Sequence, residues 1–554
     1  MVCRSWSWNP YPLISTIFPI FLSTYLNKEA DIYSLMKKSM FLSSKGYQSR
    51  MQINFVLIIV FCLLSPLGII VNASSHSVNF NDDLSFDSSP FDNVADGCFS
   101  GFWKSTTQNM NGILNGTISF GRSDTIGKIE GFITQNDSAV SFSINAQIHN
   151  KLIIGYIVSD DTVKSSIMIG SINAFMPSFT FSIFVPKIGM IMGSGSYDGS
   201  FLPQPTGSYH VGVKSYHLID ESRDEWFTED ETDDRELMVK VWYPTECSDF
   251  DKRSDYMDEI TFSWLRNQGP VPLVTIPNDA YTFVHPYIYE NAFPVQSTSF
   301  PVLLFSPGYD GVDVIYTSFI DEMVSHGYVV VSMNHPFVSG VTVFPDGRKV
   351  YIADLPGNFS DSSEFLIRSQ RSVIDDALFV LDAVEELNQT DPLLSGIFDC
   401  SRVGMFGHSF GGAATMSCCF EDERIQAGFT LDGVVYNNFL NGSISTPFLL
   451  MCAEQRFNHS SYDYVWNQFS NDAYQIGIEG SAHYSYTDVG VLLGHLMPFV
   501  PSSVLGFGTT DSRYVVDVTR LFEKAFFDVY LKSADQEVLI DLFDDFDDVF
   551  IKEK

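Results

Sequence analysis

The residues of this 554-residue chain with the clearest chemical potential are Gly407-His408-Ser409-Phe410-Gly411-Gly412. A serine hydroxyl is a weak nucleophile unless a base takes its proton and a carboxylate fixes the tautomer of that base. Glycines on both sides of Ser409 leave room for a sharp, strained strand-to-helix turn that lifts the hydroxyl into the open. The same turn sets the serine at the positive end of the following helix. A pentapeptide of this kind recurs by chance, so its weight comes from its setting. It is the only Gly-x-Ser-x-Gly in the chain, and it lies between the apolar run Val403–Phe406 and the small residues Gly412-Ala413-Ala414. That setting predicts acyl transfer through a serine.

When such a serine sits on a parallel sheet, the order along the chain is Ser, then Asp/Glu, then His. Asp432 stands just past the predicted strand Ala427–Leu431, and His483 ends the small-residue loop Glu479–His483 that follows the predicted strand Tyr474–Ile478. Ser409, Asp432 and His483 are therefore the expected nucleophile, acid and base. Four rivals fit less well. His335, past the predicted strand Tyr328–Met333, precedes the serine and is placed to line the site. His495 falls on a predicted helix as a structural histidine, His408 is expected to point away from the nucleophile, and Asp463 lies between strands. A tetrahedral oxyanion needs backbone N–H donors, one after the nucleophile and one after an earlier strand. Phe410 is the first, and Tyr309, in the turn Ser306–Gly311 after the predicted strand Pro301–Phe305, is the second.

Stepping outward from these residues, strands and helices alternate: strand Leu237–Tyr243, helix Val314–Ser325, a long helix Glu364–Leu387, strand Phe448–Met451 and a last helix Val515–Leu531. In the long helix Leu366, Val373, Ala377, Val380 and Val384 repeat near 3.6 residues. The alternation predicts an α/β-hydrolase, a mostly parallel sheet with helices on both faces, over residues 204–535. Residues 97–203 differ: short apolar stretches separated by turn residues predict an all-β accessory domain, a sandwich or barrel. Residues 536–554 form an acidic tail, expected to be solvated.

Composition narrows the partners. The net charge is −35, and hydrophobic residues make up 45% of the chain. Such acidity repels phosphate backbones, which argues against nucleic acid and against docking on anionic membranes through basic residues. No Cys-x-x-Cys or His/Cys pattern predicts a metal, and the chemistry calls for no cofactor. Within residues 1–73, Met51–Ala73 follows Lys45 and Arg50 and has an apolar run from Phe55 to Val71 and a small-residue exit, the pattern of a signal peptide, with a membrane anchor as the rival reading. Residues 74–96 are a Ser/Asp/Asn-rich leader. Acceptor triplets at Asn115, Asn136, Asn358, Asn388, Asn441 and Asn458, and an even six cysteines beyond residue 73, agree with a secreted or lumenal protein.

Several segments together resemble the platelet-activating-factor acetylhydrolases, the lipoprotein-associated phospholipase A2 type. They are Pro205-Thr206-Gly207-Ser208-Tyr209-His210-Val211-Gly212, Val241-Trp242-Tyr243-Pro244, Phe305-Ser306-Pro307-Gly308, Ser325-His326-Gly327-Tyr328, Met333-Asn334-His335-Pro336, Gly407–Gly412, Leu431-Asp432, Gly480–His483 and Gly494-His495-Leu496. The resemblance implies Ca²⁺-independent hydrolysis of short or oxidised sn-2 acyl chains from phospholipids, with Ser409, Asp432 and His483 as the triad and Tyr309 and Phe410 as oxyanion donors. Two departures stand out. Pro307 replaces the histidine common before the turn glycine, and the region Asp258–Pro294, where the family often carries an apolar helix for peripheral lipid contact, holds only Phe262, Trp264 and Leu265 as a compact apolar group. Two other readings stay open: a general secreted carboxylesterase or polyester hydrolase, and a silent hydrolase-like binding protein whose β domain does the recognising.

Overall fold

The computed structural model describes the backbone of eight strands between residues 96 and 197, and most of residues 202–554. Among others, 269–280, 434–441 and 497–501 lie outside the described residues, as do Met51–Ala73 and the residues from there to 95. The eight strands are β1 (Asp96–Ser105), β2 (Asn111–Phe120), β3 (Ile126–Gln135), β4 (Ser138–His149), β5 (Leu152–Ser159), β6 (Thr162–Phe175), β7 (Ser178–Val185) and β8 (Gly189–Tyr197). Each pairs antiparallel with the next, and β1 closes on β8 with Phe99 opposite Tyr197 and Trp103 opposite Gly193. The result is a closed up-and-down barrel, an arrangement that leaves no strand edge unpaired. The apolar runs in the sequence mark six of the strands. β8 is hidden because glycines at 189, 193 and 195 weaken its strand signal.

A ten-stranded sheet follows, in the order β11-β9-β10-β13-β12-β16-β17-β18-β19-β20. Its members are β9 (His210–Asp224), β10 (Asp234–Thr245), β11 (Ile288–Glu290), β12 (Phe300–Ser306), β13 (Val329–Asn334), β16 (Phe398–His408), β17 (Ile425–Leu431), β18 (Phe448–Ala453), β19 (Ala473–Ile478) and β20 (Val549–Glu553). A separate hairpin joins β14 (Val341–Val343) to β15 (Lys349–Tyr351). From β13 through β19 the six neighbouring strands are parallel. Every residue of β12, β18 and β19 is buried, as expected for strands covered on both faces. Alternation divides them: Val302 and Leu304 join one core, Leu303 and Phe305 the other.

The helix Phe359–Thr390 covers the first face with Val373, Ile374, Ala377, Val380, Leu381 and Val384. The helix Ser512–Lys532 covers the second with Val515, Val518, Phe522 and Phe526. Asp511 caps this second helix, accepting from the Arg513 and Tyr514 amides at 2.8 and 3.1 Å.

Two expectations change, for the tail and for the cysteines. The acidic tail is not simply solvated: β20 adds antiparallel to β19, with Ile551 opposite Ile476. The Glu479 amide donates to the Asp548 carbonyl at 2.9 Å, and the Tyr514 hydroxyl donates to the Asp548 carboxylate at 2.6 Å. Phe262 and Trp264, the compact apolar group of 258–294, are core residues, and the Trp264 indole packs on Gly340 where even a Cβ would lie 1.9 Å away. Cys247, Cys400, Cys418, Cys419 and Cys452 are free thiols, the last three buried as small hydrophobes, so the even cysteine count does not translate into bridges among the described residues. The Asn388 side chain is also occupied, donating to the Phe398 carbonyl at 2.9 Å and accepting from the Gly396 amide at 2.9 Å.

Candidate active site

Strand β16 ends at His408 and the helix Phe410–Glu421 begins at Phe410, so Ser409 alone makes the turn, at φ 53° and ψ −109°. A side chain there is strained, and the surroundings must hold it. The Ser409 amide donates to the Leu431 carbonyl at 2.9 Å, and its carbonyl accepts from the Ala413 amide at 3.1 Å. The flanking glycines are needed for space. A Cβ on Gly411 would lie 2.0 Å from the Ser306 carbonyl oxygen, and one on Gly407 would lie 2.5 Å from Gly411. Ser409 is half-buried between buried neighbours.

Asp432 is the first residue past β17, at φ 47°, and is fully buried. Its amide donates to the Met451 carbonyl at 2.7 Å, and one carboxylate oxygen accepts from the Ala453 amide at 2.9 Å. The other oxygen accepts from His483 Nδ1. Burial alone would raise the pKa of this carboxyl. The bond from His483, the nearby charges of His483 and Arg456, and the Ala453 amide outweigh burial and hold it below the usual carboxylate value. Such a carboxylate fixes the His483 tautomer with Nε2 as the acceptor nitrogen. His483 opens a short helical turn after β19 that is pinned by Ser485, whose hydroxyl donates to the Phe507 carbonyl at 2.6 Å and accepts from the Ala482 amide at 2.9 Å.

The turn after β12 lies against the serine. A Cβ on Gly308 would fall 3.2 Å from the Ser409 Cβ and 2.9 Å from His408 Nδ1. The rings of Tyr309 and Phe410 meet edge to face, 5.5 Å between centroids, so the two expected oxyanion donors are neighbours.

His408 does not turn away from this group. It is buried, its ring lies 4.5 Å from that of His483, Nε2 donates to the His483 carbonyl at 3.0 Å, and Nδ1 meets the Tyr316 hydroxyl at 2.9 Å. His335 is buried against Ser306 and Asp376. Asp463 is exposed on the helix Ser460–Gln468, and His495 lies on the helix Asp488–Leu496. Two participants escape a reading of the sequence. Arg456 brings a guanidinium 3.4 Å from the Asp432 carboxylate, and Tyr316 connects the Gly308 turn to His408. The position of Arg456 just past β18, at the carboxyl end of the sheet, is the one signal for it.

Serine, carboxylate and imidazole stand at the carboxyl ends of β16, β17 and β19 of a mainly parallel sheet, and this defines an α/β-hydrolase. The family described as platelet-activating factor acetylhydrolase, isoform II, matches residues 194–345 and 382–541, and the chain belongs to it. Among similar curated proteins is a probable 1-alkyl-2-acetylglycerophosphocholine esterase of Arthroderma benhamiae, 29% identical over 205 residues, which are 35% of this chain and 50% of that protein. The platelet-activating factor acetylhydrolase of Cavia porcellus is 25% identical over 266 residues, 43% of this chain and 59% of the relative. The chain thus spans little more than half the length of these two. The Bos taurus acetylhydrolase is 22% identical over 398 residues, covering 64% of this chain and 83% of the relative. Among solved structures, a ferulic acid esterase from Streptomyces cinnamoneus matches with a TM-score of 0.54 and 26% identity, over 63% of this chain and 97% of that one.

Proposed function

We propose that this protein is a serine esterase that removes the sn-2 acetyl group, or another short or oxidised acyl group, from phospholipids. The observation that carries the proposal is the bond from His483 Nδ1 to the buried Asp432, at the sheet end where Ser409 makes its strained turn. In this reading His483 Nε2 takes the Ser409 proton as the hydroxyl attacks the ester carbonyl. The Tyr309 and Phe410 amides hold the oxyanion, and the imidazolium protonates the departing lysophospholipid. Water, activated by the same imidazole, then releases the acyl group. Asp432 stays ionised and orients the ring. Membership of the family and the names of the fungal and mammalian relatives support the phospholipid.

A second reading, a carboxylesterase acting on soluble esters, is favoured by the likeness to a ferulic acid esterase and by the inward packing of Phe262 and Trp264. Steady-state comparison of an acetylated phospholipid with a simple aryl ester separates the two: the proposal expects the larger kcat/KM for the phospholipid. Ser409→Ala should cut kcat by about 10⁴-fold or more while the thermal melt stays cooperative. Wild-type turnover in that variant would remove Ser409 from the chemistry. We also propose a secreted or lumenal location, supported by the leader pattern of Met51–Ala73. Among the described residues no helix is long and apolar enough to cross a membrane.

A further inference from the structure

A second serine–histidine–aspartate string lies behind the candidate site. The Ser306 hydroxyl meets His335 Nε2 at 2.8 Å, and His335 Nδ1 meets Asp376 at 2.9 Å. All three residues are buried, with exposures of 0%, 1% and 0%. No substrate reaches Ser306 there, so the string is not a second nucleophile. Asp376 is held ionised by a bidentate pair with Arg235, at 3.1 and 2.7 Å, and by Arg223 at 2.9 Å. A carboxylate only accepts, so Nδ1 of His335 carries the proton, and the neutral ring leaves Nε2 to accept from the Ser306 hydroxyl. Burial, only partly offset by Asp376, lowers the His335 pKa and keeps the ring neutral.

The position of Ser306 gives this string a use. It is the last residue of β12, and its carbonyl is the atom against which Gly411, in the first turn of the nucleophile's helix, is packed. Three residues later comes Tyr309. The segment 335–340 clasps the same turn twice more: the Asp310 amide donates to the Val338 carbonyl at 3.0 Å, and the Gly340 amide donates to the Gly311 carbonyl at 3.1 Å. The His335 amide in turn donates to the Ser339 hydroxyl at 2.9 Å, which folds 335–340 back on itself.

We infer that Ser306, His335 and Asp376 are positioning residues that set the oxyanion turn, and with it the Tyr309 amide, at a fixed height over Ser409. This inference rests on the esterase reading above. Donors placed in advance act on the transition state and leave substrate binding nearly untouched.

The test is Ser306→Ala in the full-length protein, assayed on an aryl ester and titrated with a trifluoromethyl ketone that mimics the tetrahedral state. The expected result is a kcat lowered by about tenfold or more, KM within about threefold of wild type, and ketone affinity falling in step with kcat/KM. A kcat within about twofold of wild type overturns the inference, and so does a rate loss that leaves ketone affinity unchanged. A measurement on the wild type covers the case in which the variant does not fold: ¹⁵N NMR of labelled histidine should show His335 as the Nδ1–H tautomer, and an Nε2–H ring overturns the inference. Failure of the esterase reading looks different, since the wild type itself would then hydrolyse no ester.

Discussion

His408 illustrates how far one side chain's chemistry follows from its partners. A carbonyl oxygen only accepts, so the contact with the His483 carbonyl requires a proton on His408 Nε2. Burial, helped by the neighbouring His483, pushes the His408 pKa down to about 3, so the ring is neutral and Nδ1 accepts from the Tyr316 hydroxyl. The Tyr316 oxygen is then left to accept from the Gly308 amide at 3.4 Å. A single chain of bonds thus runs from the Gly308 turn through Tyr316 and His408 to the backbone of the candidate base. Neutrality matters here, because a charged His408 with its ring 4.5 Å from that of His483 would oppose the imidazolium that the proposed mechanism forms on His483. His408→Gln should therefore lower kcat by about tenfold or more at every pH. The shape of the kcat/KM–pH profile should stay unchanged, since a group neutral down to about pH 3 does not titrate in the working range. A shifted acid limb would show that His408 itself carries a proton in the reaction.

At the level of elements, what was legible in the sequence was whatever has a strong period or a fixed order. The all-buried strands β12, β18 and β19 and the buried second half of β16 stand out as apolar runs, and the long helix Phe359–Thr390 as a 3.6-residue repeat. Ser409, Asp432 and His483 could be picked out because the turn glycines and strand ends mark them. β9 and β20 were not legible: polar residues and charges interrupt both, β20 at the edge of the sheet and β9 flanked on one side only by the three-residue β11. Arg456, Tyr316 and the Ser306–His335–Asp376 string were hidden for another reason, since sequence gives order along the chain and not approach in space. The last strand carries its own prediction. β20 completes the edge beside β19, the strand that leads into the His483 loop, and the Lys554 ammonium donates to the Trp466 carbonyl at 3.1 Å. Removing residues 549–554 would expose that edge and lose a row of ladder bonds. The melting temperature, followed by circular dichroism, should fall by roughly 5 °C or more. A truncated protein melting within about 1 °C of the full chain would make β20 an ornament of the sheet.

For the whole molecule, buried titratable groups of opposite kinds govern how stability depends on pH. His335 and His408 have lowered pKa values, so what they contribute is present above the unfolded value near 6.5 and is lost as pH falls below it. Three buried acids act in the other sense. Asp488, at the start of the helix Asp488–Leu496, is pushed up to about 7 by burial despite bonds from the Ser318 amide at 3.3 Å and the Tyr256 hydroxyl at 3.1 Å. Burial raises Asp321 and Glu523 well above their usual values, Arg520 offsetting it only in part. A raised carboxyl contributes fully below its unfolded value, about 3.9 for Asp and about 4.3 for Glu, and that contribution is lost as pH rises through the folded value. The two sets therefore oppose one another across the mildly acidic range. Asp488→Asn isolates one member, because an amide accepts the same bonds and never ionises. Its melting temperature relative to wild type should rise between pH 5 and pH 8, the gap widening by about 3 °C or more. A gap that stays constant across that range would mean that Asp488 titrates alike in the folded and unfolded chains, and the alkaline limb would then belong to Asp321 and Glu523 alone.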